Sequence, residues 1–196
     1  MWYRFRDILM ASFGLMILSP VFLAIVILLK LTQDRVFFFQ TRPGLNGIPF
    51  RLIKFSTMRD ALPGDPEEAH QIARLTRWGK RIRQASLDEL PQLINVLKGD
   101  MSIVGPRPLL MEYLSLYSEK ELRRHLVPPG ITGWAQIHGR NRISFKERFA
   151  YDIWYVDHRS FWLDLKIIFK TFGRVFTKAD VFADQDTISP KFDGTN

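Results

Sequence analysis

The 196 residues suffice for one domain, or for one domain and an anchor. Sixteen Phe and five Trp allow a substantial core, and a net charge of +8 suits nucleic acid, an anionic membrane face or a phosphorylated substrate. The absence of Cys excludes disulfides, thiolate metal sites and Cys nucleophiles, and the four His (His70, His125, His138, His158) lack paired ligand spacing.

Ile8 to Leu29 is a 22-residue run without a charge. As one helix it is about 33 Å long, enough for a hydrocarbon core of about 30 Å. It is longer than a secretory apolar region, and no small-x-small cleavage site follows it. It therefore reads as a membrane segment. Ser19-Pro20 lies at its centre. Pro20 has no N–H for the helix ladder and crowds the carbonyl four residues back, so a kink or break is expected. Ser19 is placed to satisfy a freed backbone carbonyl. Arg4 and Arg6 precede the run, and Lys30 and Arg35 follow it. Positive residues mark the cytoplasmic side. Cations at both ends suit a hairpin in one leaflet, although the residues alone place a kinked span slightly ahead.

Val36 to Gln40 and Phe50 to Phe55 flank the turn-rich stretch Pro43 to Pro49, which reads as a β-hairpin. Lys54 ends the second strand, as a solvated charge or a phosphate contact. Ala61 to Glu68 leads into a helix starting near Pro66, with Ile72, Leu75, Trp78 and Ile82 at helical spacing. Arg74, Arg77, Lys80, Arg81 and Arg83 between them read as a solvated face, or as a face for lipid phosphates.

The next helix is expected from about Leu87 to Lys98, stopped by Gly99. Ser86 and Glu89 have capping-box spacing, and Pro91 falls in the tolerated first turn. Asp88 and Glu89 then sit among unpaired N–H groups, where anions are favoured. They either complement the helix dipole or carry chemistry. In GDMSIVGPRPLL, Pro106 and Pro108 flank Arg107 and hold it extended, a geometry suited to bidentate phosphate binding; a plain surface-loop Arg is the alternative. Glu112 to Leu126 reads as a helix ended by Pro128-Pro129-Gly130. GITGWAQIHGRNRIS adds Arg140 and Arg142 among glycines that lack Walker or dinucleotide spacing. Lys146 to Lys178 is dense in aromatics, with Lys166, Lys170, Arg174 and Lys178 on one helical stripe. That pattern describes a helix lying on a membrane, or ordinary core packing. Residues 181–196 look irregular.

Five stretches together carry a resemblance over nearly the whole chain. They are the apolar run with Ser19-Pro20, QTRPGLNGIPFRLIKFSTM, SLDELPQLINVLKGDMSIVGPRPLL, PPGITGWAQIHGRN and DIWYVDHRSFWLDLKI. The chain resembles the bacterial sugar transferases, the monotopic phosphoglycosyl transferases. It is similar to the small members that load phospho-N,N'-diacetylbacillosamine, or a related N-acetylamino sugar phosphate, onto undecaprenyl phosphate.

The resemblance implies a mainly α fold with a small β-hairpin. A membrane-embedded re-entrant helix (residues 1–35, broken at Ser19 and Pro20) precedes a catalytic domain (36–180) with interfacial amphipathic helices and an irregular tail (181–196). That topology replaces the kinked span. The resemblance also implies a bacterial inner membrane location with the domain facing the cytoplasm. It implies transfer of a sugar 1-phosphate from a UDP-sugar to a polyprenol phosphate, with UMP released. Asp88 is the implied nucleophile, and Mg²⁺ the implied cofactor, held by Asp88 and Glu89. Lys54, Arg107, Arg140 and Asp164 match polar positions of the family's site. Asp164 alternatively caps the helix begun near Trp162. Anionic lipid headgroups are expected partners and nucleic acid is not. A non-catalytic basic membrane-surface docking protein would also explain anchor, charge and aromatics, but gives no reason for Asp88-Glu89 so near Pro-Arg-Pro.

Overall fold

Trp2–Thr32 forms one 31-residue helix, α1, in the computed structural model, which describes residues 2–60, 74–139, 143–177 and 192–194. Among the described residues it is the one helix long and apolar enough to cross a membrane. The expected break is not there: helix continues through Ser19 and Pro20. The reason is local. Pro20 leaves the Met16 carbonyl without its usual donor, and Ser19 Oγ donates to that oxygen at 2.8 Å. Phe13, Met16, Ile17, Leu23, Ile27 and Leu31 remain exposed along α1.

The other side of α1 packs on the rest of the chain along its length. Met10 joins the core of Val104, Ile137, Tyr155, Ile167 and Ile168. Ala11 is buried with Leu52, Val96 and Met101, while Ile25 and Leu29 are buried with Phe55 and Ile82. A charged turn secures one end. Arg4 donates to the carbonyls of Val96 and Leu97.

The hairpin forms as expected, from β1 (Phe37–Pro43) and β2 (Pro49–Phe55), paired antiparallel from Phe37↔Phe55 to Pro43↔Pro49. Its turn uses positive φ at Asn46 and Gly47, residues that tolerate it. Helix α2 covers Arg77–Gln84. Leu75, although at helical spacing, lies outside it: Thr76 Oγ1 caps the helix by accepting from the Gly79 N–H, and Leu75 pairs with Met58 in an isolated bridge. Gly79 lies against the strand end so closely that a Cβ would sit 1.9 Å from the Thr57 carbonyl oxygen. The expected start near Pro66 and the Ile72 position lie outside the described residues.

Helix α3 is shorter than expected, Gln92–Lys98, and is stopped by Gly99 at φ 98° as foreseen. A 3₁₀ turn, Leu87–Glu89, precedes it. Strand β3 (Ser102–Val104) runs parallel to β4 (Gly130–Thr132), a pairing with no local sequence signal. Gly105 and Gly130 allow it; a Cβ on Gly130 would meet the Gly105 nitrogen at 2.1 Å.

The stretch 112–126 is not one helix. A 3₁₀ turn (Met111–Leu116), a short helix α4 (Glu119–Leu122) and a second 3₁₀ turn (Arg123–His125) replace it. Tyr117 is extended and its ring enters the core with Phe149 and Phe192, and Ser118 then restarts the helix with a capping box to Glu121. Helices α5 (Phe145–His158) and α6 (Phe161–Thr177) complete a mainly helical architecture. Trp162, Phe169 and Phe172 of α6 are exposed. Lys178 of the basic stripe and nearly all of the expected tail are outside the described residues.

Candidate active site

The site is built where β2, the turn before α3 and the loop after β3 meet. Ser86 adopts a left-handed conformation (φ 54°, ψ 20°), which reverses the chain between α2 and the Leu87–Glu89 turn. An N-cap needs extended backbone, so the expected capping box does not form, and Ser86 makes no side-chain cap. Glu89 turns elsewhere. Its Oε1 accepts from Lys54 Nζ at 2.8 Å, and its two oxygens accept from the two terminal nitrogens of Arg107, Nη1 at 3.2 Å. Two cations override a single backbone N–H as the partner of a carboxylate.

Longer-range bonds fix both cations. Asn95 of α3 is fully buried, accepts from the Ile53 N–H at 3.0 Å and donates to the Arg51 carbonyl at 2.8 Å. That ties the Lys54 strand to the helix that follows Glu89. Arg107 sits between prolines on a backbone held by Gly105 N–H to the Thr132 carbonyl (2.9 Å) and Gly130 N–H to the Pro106 carbonyl (3.0 Å).

Asp88 is buried beside this cluster. Among the described residues no side chain donates a hydrogen bond to it or pairs with it. Burial, and then the Glu89 charge, push its carboxyl above the ordinary range, against the pull of Lys54, Arg83 and Arg107. Glu89 moves the other way. Burial alone would raise it, but the charges and hydrogen bonds of Arg107 and Lys54 hold it well below the usual carboxylate range. The adjacent acids are therefore tuned apart, one committed to partners and one with free oxygens, as acid–base and nucleophilic sites often are.

The structure thus brings together Lys54, Asp88, Glu89 and Arg107. It places Asp164 in a different cluster. Asp164 is fully buried, with Oδ2 paired to Arg6 and Oδ1 accepting from Tyr155 Oη at 2.7 Å. Arg6 also meets Asp7, whose Oδ2 accepts from Ser102 Oγ at 2.6 Å. Asp164 is not a helix cap either, since Ser160 Oγ accepts the Leu163 N–H at the start of α6. Arg140 lies outside the described residues. Ser19 and Pro20 are exposed at the middle of α1.

Two further cations were hidden in apparently solvated stretches. Arg83 donates to Thr57 Oγ1 at 2.9 Å and its charge reaches Asp88. Arg42 is pulled down to about 10 by burial and then by the Arg107 charge, and donates to Gln40 Oε1 at 2.6 Å. Neither position has a local pattern that separates it from a surface base.

Mg²⁺ takes hard oxygen ligands and commonly keeps several waters, with one or two carboxylates plus substrate phosphates. No group of three or more His, Asp or Glu among the described residues converges to hold a metal by itself. Asp88 has carboxylate oxygens available for that sparse mode, whereas both oxygens of Glu89 are engaged by Lys54 and Arg107. The donor set at this cluster therefore offers one available carboxylate, which fits only that sparse mode.

A family model described as bacterial sugar transferase matches residues 1–178. The chain belongs to the bacterial sugar transferase family. It is 49% identical over 193 residues to the Bacillus subtilis "Uncharacterized sugar transferase EpsL", covering 98% of this chain and 96% of that one. It is 42% identical to the Xanthomonas campestris "UDP-glucose:undecaprenyl-phosphate glucose-1-phosphate transferase", over 87% of this chain but 38% of that longer protein. It is 39% identical to the Rhizobium meliloti "Exopolysaccharide production protein ExoY", over 88% of this chain and 84% of that one. As a bacterial sugar transferase the chain is an enzyme, and the Lys54–Asp88–Glu89–Arg107 cluster is its candidate active site.

Proposed function

We propose that this sugar transferase moves a sugar 1-phosphate from a UDP-sugar to a polyprenol phosphate such as undecaprenyl phosphate, with Asp88 as nucleophile. The observation that carries the reading is a buried carboxylate with no side-chain donor among the described residues, held beside Lys54, Arg107 and Arg83. Relatives named for undecaprenyl-phosphate transfer of glucose 1-phosphate and of N-acetylgalactosamine phosphate support the reaction class.

In the first step an Asp88 oxygen attacks the β-phosphorus of the UDP-sugar. The bond from that phosphorus to the bridging oxygen breaks, UMP leaves, and the sugar phosphate remains on Asp88 as an acyl phosphate. In the second step the polyprenol phosphate oxygen attacks the same phosphorus. The polyprenol diphosphate sugar departs and the Asp88 carboxylate is regenerated. Arg107 and Lys54 face the charge that spreads over the phosphoryl oxygens, where fixed donors act most strongly. Glu89 holds those two cations in place between turnovers. Mg²⁺, held by Asp88 and the diphosphate with Glu89 adjacent, would offset the repulsion between carboxylate and phosphate and ease UMP departure.

The mode of membrane attachment belongs to the same proposal. Arg4 near one end of α1 and Leu29 near the other both pack on the same domain. A helix that crossed straight through a bilayer would carry one end away from that domain. The packing supports a helix whose two ends stay on one face of the membrane, and the cations Arg4, Arg6, Lys30 and Arg35 flanking the apolar run favour the cytoplasmic face. Exposed Trp162, Phe169 and Phe172 near Lys166 and Lys170 support contact with anionic headgroups. Because the chain has no native Cys, single cysteines at positions 4 and 35 can be labelled separately. Both are expected to react only from the cytoplasmic side; labelling from opposite sides would rule out this topology.

The test of the reaction is UMP release from a panel including UDP-glucose and UDP-N-acetylgalactosamine, with Mg²⁺ and undecaprenyl phosphate. At least one donor is expected to give UMP together with a lipid-linked sugar diphosphate. Release of UDP instead of UMP would overturn the assignment, because it would mean that a sugar and not a sugar phosphate is transferred.

A further inference from the structure

Arg124, at the centre of the Arg123–His125 turn, is 1% exposed and makes contacts with all three guanidinium nitrogens. Nε and Nη2 donate to Asp152 Oδ2 at 3.1 and 2.7 Å, and Nη1 donates to Tyr117 Oη at 3.3 Å. The guanidinium lies over the rings of Tyr117 and Phe149. Nη2 also donates to the main-chain carbonyl of Arg107 at 2.8 Å. A buried ion pair of this kind gains little stability over well-packed apolar residues, so its value is geometric. Among the atoms it fixes, the Arg107 carbonyl leads to the candidate active site.

Two main-chain hydrogen bonds restrain the backbone just before Arg107. Gly130 N–H holds the Pro106 carbonyl and Gly105 N–H reaches Thr132, both before Arg107. Pro108 has no N–H to offer on the other side. Arg124 restrains the Arg107 carbonyl itself, from a different part of the chain. We propose that Arg124 is a positioning residue for the transfer reaction: by gripping the Arg107 carbonyl, it aims the Arg107 guanidinium at Glu89 and at the phosphoryl group being transferred. Asp152 on α5 and Tyr117 fix Arg124 in turn, so the aromatic core of Tyr117, Phe149 and Phe192 becomes the footing of the Arg107 loop. The inference rests on the function proposed above.

The experiment is a double-variant cycle on the full chain in detergent or nanodiscs, following radiolabelled lipid-linked product and the melting temperature. Arg124→Lys keeps a charge opposite Asp152 but cannot span both Asp152 and the Arg107 carbonyl. It is expected to lower kcat about 10- to 100-fold, the effect of displacing a catalytic group by about an ångström, with a smaller change in KM. In an Arg107→Gln background the same change is expected to alter kcat less than about 2-fold, because the group it positions is gone. Its effect on the melting temperature is expected to be equal in both backgrounds. Losses in kcat that multiply would overturn the proposal and leave Arg124 a purely structural residue. Should Arg124→Lys fail to accumulate as folded protein, Asp152→Asn, which loosens Arg124 while keeping its shape, carries the same cycle with the same two outcomes. Asp88→Asn measured alongside separates the readings: wild-type turnover there removes the nucleophile assignment, whereas the cycle reports only on Arg107.

Discussion

Asp88→Asn is expected to lower UMP release by about three orders of magnitude or more and, at the same time, to raise the melting temperature. The first effect follows from losing the proposed nucleophile. The second follows from burial, which raises the Asp88 pKa in the folded state above the ordinary carboxylate value of 3.8. The folded protein then holds this proton more tightly than the unfolded chain does. Its stability is greatest at low pH and falls as the pH rises toward the folded pKa, above which a constant penalty remains. Asn carries no charge and escapes that penalty at neutral pH. The stabilisation should shrink as the pH is lowered through the folded pKa of Asp88, and the wild-type rate should fall over the same range. Melting curves and initial rates across a pH series check both. A variant with wild-type rate would remove Asp88 from the chemistry. An unchanged melting temperature would mean that its charge is already well compensated.

The neighbouring acid should behave in the opposite sense. Glu89→Gln is expected to destabilise the fold by about 2–3 kcal/mol, because it leaves Lys54 and Arg107 facing a neutral group. The loss is smaller than the ~3–5 kcal/mol typical of a fully buried pair, since the Arg107 side chain is 38% exposed and partly screened. The depressed Glu89 pKa sets the window. Its stabilisation is present above the ordinary glutamate value of 4.5 and is lost as the pH falls through the folded pKa. Urea unfolding at neutral pH, read as a shift of midpoint at unchanged slope, measures the loss. Turnover should drop about 10- to 100-fold as Arg107 loses its anchor. Equal stability of variant and parent would return Glu89 to the role of a helix-dipole complement. Opposite stability changes at adjacent carboxylates are a signature that two dipole-complementing acids would not give.

Much of this arrangement was legible in the residues because the signals were local. Turn formers between two β-branched and aromatic runs gave the hairpin, and Gly99 gave the end of α3. The uninterrupted apolar run gave α1, and Ser19 beside Pro20 foretold the Met16 carbonyl contact. What could not be read depended on partners distant in sequence. Ser86 and Glu89 have the spacing of a capping box, yet Lys54, 35 residues away, and Arg107, 18 away, claim the carboxylate. Leu75 fits the helical period, but its backbone pairs with Met58. Arg83, Asn95 and Arg124 look like ordinary polar positions until the fold buries them against Thr57, Arg51 and Arg107. The family resemblance supplied Lys54, Arg107, Arg140 and Asp164 as a single group; Arg140 lies outside the described residues, and the structure separates Asp164 into the Arg6 cluster.

The charged turn at the start of α1 also bears on the order in which the fold closes. Arg6 and its partner Asp164 lie 158 positions apart, and Asp7 and Ser102 lie 95 apart. Contacts this distant in sequence close late and slowly, after hairpins and single helices have formed. Until they close, two charges at one end of a long apolar helix are left to water, and burying them without their partners would be costly. The docking of α1 onto the rest of the fold is therefore tied to the arrival of α6, and the pair that completes the structure is the one least able to form early.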